Sequence, residues 1–231
     1  MPPGSAKSTY TSIVFPAWYL GRHPQGSVIA ASHTEELAER FGRRVRNIVA
    51  SEAHRNVFGV GVAVDRKSVG EWETEAGGEY YAAGVGGSIT GRRADLGIIA
   101  DPVRGREDAD SERARETAWQ WYINDFLPRL KPGASQIVIM TRWHEDDLGG
   151  QLLEREASKW RIVELPMEAL PGDPLGRKPG RTLVAGMVYA RDAGDRETGS
   201  AGVERALPAM PDCGGGRLFQ ARLVRPIRSP A

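Results

Sequence analysis

Gln136-Ile137-Val138-Ile139-Met140-Thr141 places four consecutive apolar residues before a hydroxyl. A strand with one wet face alternates apolar and polar residues, whereas an unbroken apolar run fits a strand covered on both faces, as in a parallel sheet. Leu96-Gly97-Ile98-Ile99-Ala100-Asp101 is a second such run, ending on a carboxylate. Between the two, Ala114, Ala118, Trp121, Tyr122 and Phe126 recur at helical spacing, and Lys131-Pro132-Gly133 is a sharp stop. A strand, a helical crossover and a second strand make the unit from which parallel sheets are built.

Outward from this unit the pattern repeats. Downstream, Glu145-Asp146-Asp147 opens a helix and residues 161–165 form a last strand. Upstream, residues 28–31 read as a strand, and Leu37, Phe41, Val45, Ile48 and Val49 mark an amphipathic helix over 34–50. Short strands are expected at 57–64 and 68–72, a hairpin or loop over 79–83 and the Gly-rich 84–91, and a helix at 11–20 that Pro16 kinks or ends in its first part. The fold class is α/β, three-layered, with a mainly parallel sheet. Residues 1–165 form the expected domain. From 166 to 231, Pro and Gly replace periodic structure, so this stretch reads as linker and irregular, disordered tail.

Thirty-one basic residues against thirty acidic ones give a formal charge of +1, which excludes a global field that would draw the chain onto nucleic acid or an anionic membrane. Cys213 is the single cysteine, so an internal disulfide framework and a clustered-cysteine zinc site are excluded. No apolar run approaches the roughly 20 residues that cross a bilayer, and no signal peptide is visible, so a cytoplasmic protein is expected.

Chemistry is suggested at the start of the chain. Gly4-Ser5-Ala6-Lys7-Ser8-Thr9 has the Lys-Ser spacing of a phosphate-binding loop and leads into a helix. Small residues at Gly4, Ser5 and Ala6 let backbone N–H groups curl around phosphates, Lys7 reaches the terminal phosphates, and Ser8 can ligate magnesium. Met1 and Ala6 occupy positions where the full motif has glycine, and an ordinary helix-capping turn is the competing reading. A phosphate-binding loop normally hangs from a buried strand; none is readable before Gly4, so a P-loop NTPase domain lacking its first strand is expected. Asp101 ends one apolar run, where an acid holds magnesium or orients water, and Thr141 ends the next, beside the crevice of an open α/β sheet. Glu145 to Asp147 read first as helix capping; His144, Glu145 and Asp147 as metal ligands is the weaker reading.

Pro2 to Tyr10, Gly86 to Asp95 (Gly-Gly-Ser-Ile-Thr-Gly-Arg-Arg-Ala-Asp), Ile98 to Pro102 and Thr141 to Leu148 (Thr-Arg-Trp-His-Glu-Asp-Asp-Leu) occur in one order that resembles phage terminase large subunits. The resemblance spans residues 1 to about 180, and Thr-Arg-Trp-His is its most specific part. It implies that Gly4 to Thr9 are Walker A, that Ile98 to Asp101 are Walker B, and that Thr141 couples hydrolysis to DNA movement. ATP and Mg2+ are the implied cofactors. Duplex DNA, a terminase small subunit and a capsid portal are the implied partners, in a homo-oligomeric ring. The family's nuclease domain is not expected in this sequence. Walker B usually ends in two acids, and Ala100 stands where the first would be, so slowed hydrolysis is implied. An inactive prophage remnant and another helicase-like P-loop ATPase are the alternatives. Codons permitted for residues 184–195 allow a family-like continuation one base forward, which suggests a frameshift near 183.

Arg92 and Arg93, after a Gly-rich turn, are candidates for a phosphate grip on DNA or for an arginine finger between subunits. Arg43, Arg44 and Arg46 share one helix and read first as a solvated face.

Overall fold

The computed structural model describes residues 5–166 and 168–183 and the backbone of 221–224, with the side chains of 65–67 also outside the description. Gly4 and the proposed frameshift region lie outside the described residues. Ala6 adopts a left-handed conformation (φ 57°) and starts a helix: α1 (Lys7–Thr9), a π turn (Tyr10–Val14) and α2 (Phe15–Arg22). Pro16 follows the π turn directly, and helical structure runs from 7 to 22. It begins four residues earlier than periodicity suggested. Among the described residues, no strand precedes it.

Strand β1 (Ser27–Ser32) leads to α3 (Glu35–Val49), capped by the Thr34 hydroxyl accepting from Leu37 N–H. The expected strand at 57–64 is corrected. Its first two residues belong to helix α4 (Glu52–Phe58), which Ser51 caps and Gly59 ends at φ 73°, and only its last three enter β2 (Val62–Lys67). Val57 and Phe58 have β-favouring side chains, but a cap before them and a left-handed Gly after them fix a helix. Strands β3 (Glu71–Thr74), β4 (Glu79–Gly84) and β5 (Ala94–Ala100) follow. Then come α5 (Arg106–Asp110), α6 (Glu112–Trp121) with a π and a 3-10 turn, β6 (Leu130–Ile139), α7 (Leu148–Glu156), β7 (Arg161–Glu164) and β8 (Ala221–Val224).

The eight strands form a mixed sheet in the order β2-β3-β4-β1-β5-β6-β8-β7. Its centre, β4-β1-β5-β6, is parallel, and the pairs flanking it are antiparallel. Lys131-Pro132-Gly133, read as a stop before the strand, lies inside β6, where a register shift against β5 and Gly133 at φ 82° absorb the irregularity. Strand alternation divides the core. Val28, Ala30, Leu96, Ile98 and Ile137 pack with Ala17, Leu20, Val45 and Val49 on one face; Ile29, Ile99, Val138 and Met140 pack with Trp121, Tyr122, Phe126, Leu148 and Leu152 on the other. Helix, sheet and helix thus make the three layers. Gly97 has no side chain for a reason: a Cβ there would lie 2.6 Å from the Phe126 ring.

Within the stretch expected as linker, residues 168–183 close a loop. Asp173 accepts from the Leu175 and Arg177 backbone N–H groups and from the Arg177 guanidinium, which also donates to the Pro166 carbonyl. Ala221–Val224 pairs antiparallel with both β6 and β7.

Candidate functional site

The register of the parallel strands sets the site. Ser32, Ala100 and Ile139 are paired neighbours on β1, β5 and β6, so His33, Asp101 and Thr141 emerge together at the carboxyl edge of the sheet. Open α/β sheets bind ligands at this edge, where chain leaving adjacent strands diverges and exposes a crevice. Helix residues 7–9 arrive over the same edge. A cavity of ≈ 570 Å³ is lined by Ala6, Lys7, Ser8, Thr9, Asp101 and Thr141 from the sequence-based candidates.

Lys7 is the hub. It is 8% exposed, and its ammonium lies 2.5 Å from the Thr141 hydroxyl and 3.4 Å from the Asp101 carboxylate. A buried ammonium without a counter-charge is costly, so Asp101 compensates Lys7 directly. Thr11 secures the helix start by donating its hydroxyl to the Lys7 carbonyl at 2.7 Å. Ser5 is buried, Ser8 half-buried and Thr9 exposed, so Ser8 and Thr9 remain accessible at the cavity wall.

Asp101 sits at φ 48°, in the left-handed region where Asp is among the better-tolerated residues. Three hydrogen bonds hold it: its N–H donates to the Ile139 carbonyl at 2.8 Å, and its own carbonyl accepts from His33 N–H at 3.2 Å and lies 3.1 Å from His33 Nδ1. Donation to a carbonyl requires that Nδ1 carry the proton. Ser32 reinforces the row by donating to the Ala100 carbonyl at 2.6 Å. Ala100 itself is buried at 1% exposure, and Asp101 is the single acid among the described residues that line the cavity.

His33, Leu37, Val103, Arg104 and Trp143 also line the cavity and were not among the sequence candidates. One signal was available for His33, which directly follows an apolar strand beside the strand ending at Asp101. Leu37 comes from the first turn of α3, and Val103, Arg104 and Trp143 are brought in by loops whose course no periodicity reveals.

After Thr141 the chain turns through a locked corner. Arg142 forms an ion pair with the fully buried Asp147 at 2.6 Å and donates to the His144 and Glu145 carbonyls. Asp147 also caps α7 by accepting from Gly150 N–H at 3.0 Å. The capping reading of this acidic run therefore describes Asp147, while Glu145 and Asp146 are exposed. No group of three or more His, Cys, Asp or Glu side chains suited to a metal occurs among the described residues.

Arg92 is engaged within its own chain, ion-paired to Glu71 at 2.8 Å and lying 4.8 Å from the Tyr81 ring centre. Arg93 is exposed. Neither lines the cavity.

Two comparisons bear on this geometry. The family described as "Terminase large subunit, T4likevirus-type, N-terminal" matches residues 1–200. The chain is similar to the terminase large subunit of Enterobacteria phage T3, 29% identical over 140 residues, which is 59% of this chain and 23% of that relative. The matched part thus spans less than a quarter of the relative's length.

Proposed function

The chain belongs to the terminase large-subunit family, and from that premise we propose that the Lys7–Asp101–Thr141 cavity binds ATP with Mg2+ in a P-loop ATPase unit that drives duplex DNA into a capsid. One observation carries the reading: a buried lysine at a helix start converges with an acid and a hydroxyl from two adjacent parallel strands, beside an open cavity. The donor set fits the ligand. Lys7 and the N–H groups at the start of the helix suit phosphate oxygens; Ser8 and Asp101 offer the few protein oxygens that Mg2+ takes when water and phosphate complete its shell. Bound Mg2+ would neutralise charge developing on the transferred phosphoryl group. In this reading Lys7 leaves Thr141 and Asp101 for the phosphates, and Thr141 is released to sense whether a terminal phosphate is present. By the same reading, the partners are a terminase small subunit, a capsid portal and further copies of the chain in a ring.

A second reading, nucleotide binding with little turnover, is favoured by Ala100. With a single acid in the cavity, Asp101 cannot both hold the metal and orient the attacking water. Titration with a fluorescent ATP analogue in Mg2+, together with phosphate release, tests both. Saturable binding lost by at least about 100-fold in Lys7→Ala supports the site. Release that rises in Ala100→Asp identifies the slow-turnover form. Binding unaffected by Lys7→Ala refutes the proposal.

A further inference from the structure

Helix α3 presents two opposed faces. Ala38, Gly42, Val45 and Val49 are buried against the sheet side. On the opposite side, Arg40, Arg43, Arg44 and Asn47 are all exposed, and at 100° per residue they fall within one stripe. No ion pair or side-chain hydrogen bond engages these three arginines among the described residues. Arg46, the third member of the sequence-based group, points elsewhere: it is half-buried and donates to the Ser68 carbonyl at 3.1 Å. The stripe is thus Arg40-Arg43-Arg44, with Glu36 exposed one turn nearer the helix start.

The geometry points to this stripe as a docking surface for the phosphate backbone of duplex DNA. Three unpaired guanidiniums flanking an amide, over roughly 10 Å of helix, suit successive phosphates and carry no base-reading element. A protein interface would need an apolar or aromatic centre. None of the exposed large hydrophobic side chains lies on α3. The stripe is also mechanically joined to the cavity, because Leu37 in the first turn of α3 and His33 just before it form part of the cavity wall. A displacement of that wall moves the DNA-facing stripe with it.

The choice of partner rests on the packaging reading, so nucleotide binding is measured on the same proteins. Anisotropy of a labelled duplex of random sequence is followed from about 50 to 200 mM salt, a range over which phosphate contacts reveal themselves. Arg40→Glu/Arg43→Glu/Arg44→Glu is expected to weaken binding by about 30-fold or more and to reduce the logarithmic salt slope by about 3. The triple Lys variant retains binding, as does a control with equal charge change, Arg113→Glu/Arg161→Glu/Lys178→Glu. Undiminished binding by the triple Glu variant, equal loss in the control, or no duplex binding by the wild type overturns the proposal. So does competition by polyglutamate as effective as unlabelled duplex at equal charge, which would assign the stripe to an acidic protein. Lys7-dependent nucleotide binding that persists in any of these cases leaves the nucleotide site standing.

Discussion

Lys7 donates to the Thr141 hydroxyl at 2.5 Å across 134 residues of sequence, so a polar contact above the sheet edge joins the first helix to the segment leaving β6. A phosphate ligand must compete with this contact before Lys7 is free. Thr141→Val removes the acceptor while nearly preserving shape. On the proposed reading, in which Thr141 senses the terminal phosphate, it is expected to leave Mg-ATP binding intact or tighten it severalfold while lowering any hydrolysis by about tenfold or more. Parallel binding and phosphate-release measurements check this. A Thr141→Val protein that hydrolyses normally removes Thr141 from the mechanism.

Asp101 combines a counter-charge with a left-handed backbone. Asp101→Val loses both and is expected to destabilise the fold by about 2–4 kcal/mol, from an uncompensated Lys7 and a β-branched residue at φ 48°. Asp101→Asn loses the charge alone, and its partly exposed position limits the cost to about 1–2 kcal/mol. Urea unfolding of both proteins should rank them in this order; equal stabilities would show that backbone conformation contributes nothing here.

Gly97 faces Phe126 on one side of the sheet. Gly97→Ala drives a Cβ to 2.6 Å from the ring and 2.9 Å from Leu130, and is expected to cost about 1–3 kcal/mol through overpacking. Its midpoint in urea should fall without a change of slope. A neutral result would mean that Phe126 can withdraw freely, contrary to its complete burial.

The loop at 168–183 carries a pH dependence of its own. Hydrogen bonding from Arg177 holds the Asp173 carboxyl below its ordinary value. A depressed folded value means that this stabilisation is complete above the unfolded-state value, near pH 4, and is lost as pH falls through the folded one. Amide-exchange protection at Leu175 and Arg177, whose N–H groups donate to Asp173, should therefore decrease below about pH 4. Asp173→Asn should abolish that dependence, and protection that stays flat into acid would contradict it.

The sequence made some parts of this architecture plain and concealed others for physical reasons. The runs at 96–100 and 137–140 are legible because both of their faces are covered, so hydrophobicity alone identifies them. The α3 periodicity is legible too, although Gly42 and Ala38 pack inward beside Val45 where larger residues marked the stripe. Residues 57 and 58 carry β-favouring side chains, but the cap at Ser51 and the left-handed Gly59 decide the local geometry as helix. Among the candidate residues, Lys7, Ser8, Asp101 and Thr141 are legible from the motif and the strand ends, and all four line one cavity. Arg92 gave no hint that Glu71 and Tyr81 would engage it, since such pairing depends on a β3–β4 hairpin register that charge patterns do not encode.

The locked corner after Thr141 has a mechanical meaning. Arg142 joins Asp147 and two carbonyls into one brace, and Asp147 in turn is the first anchor of α7. Such a corner resists bending, so a displacement of Thr141 cannot dissipate in the loop that follows it. A rigid corner of this kind ties the tip of β6 to the start of α7, whose Leu148 and Leu152 sit in the core with Trp121 and Phe126.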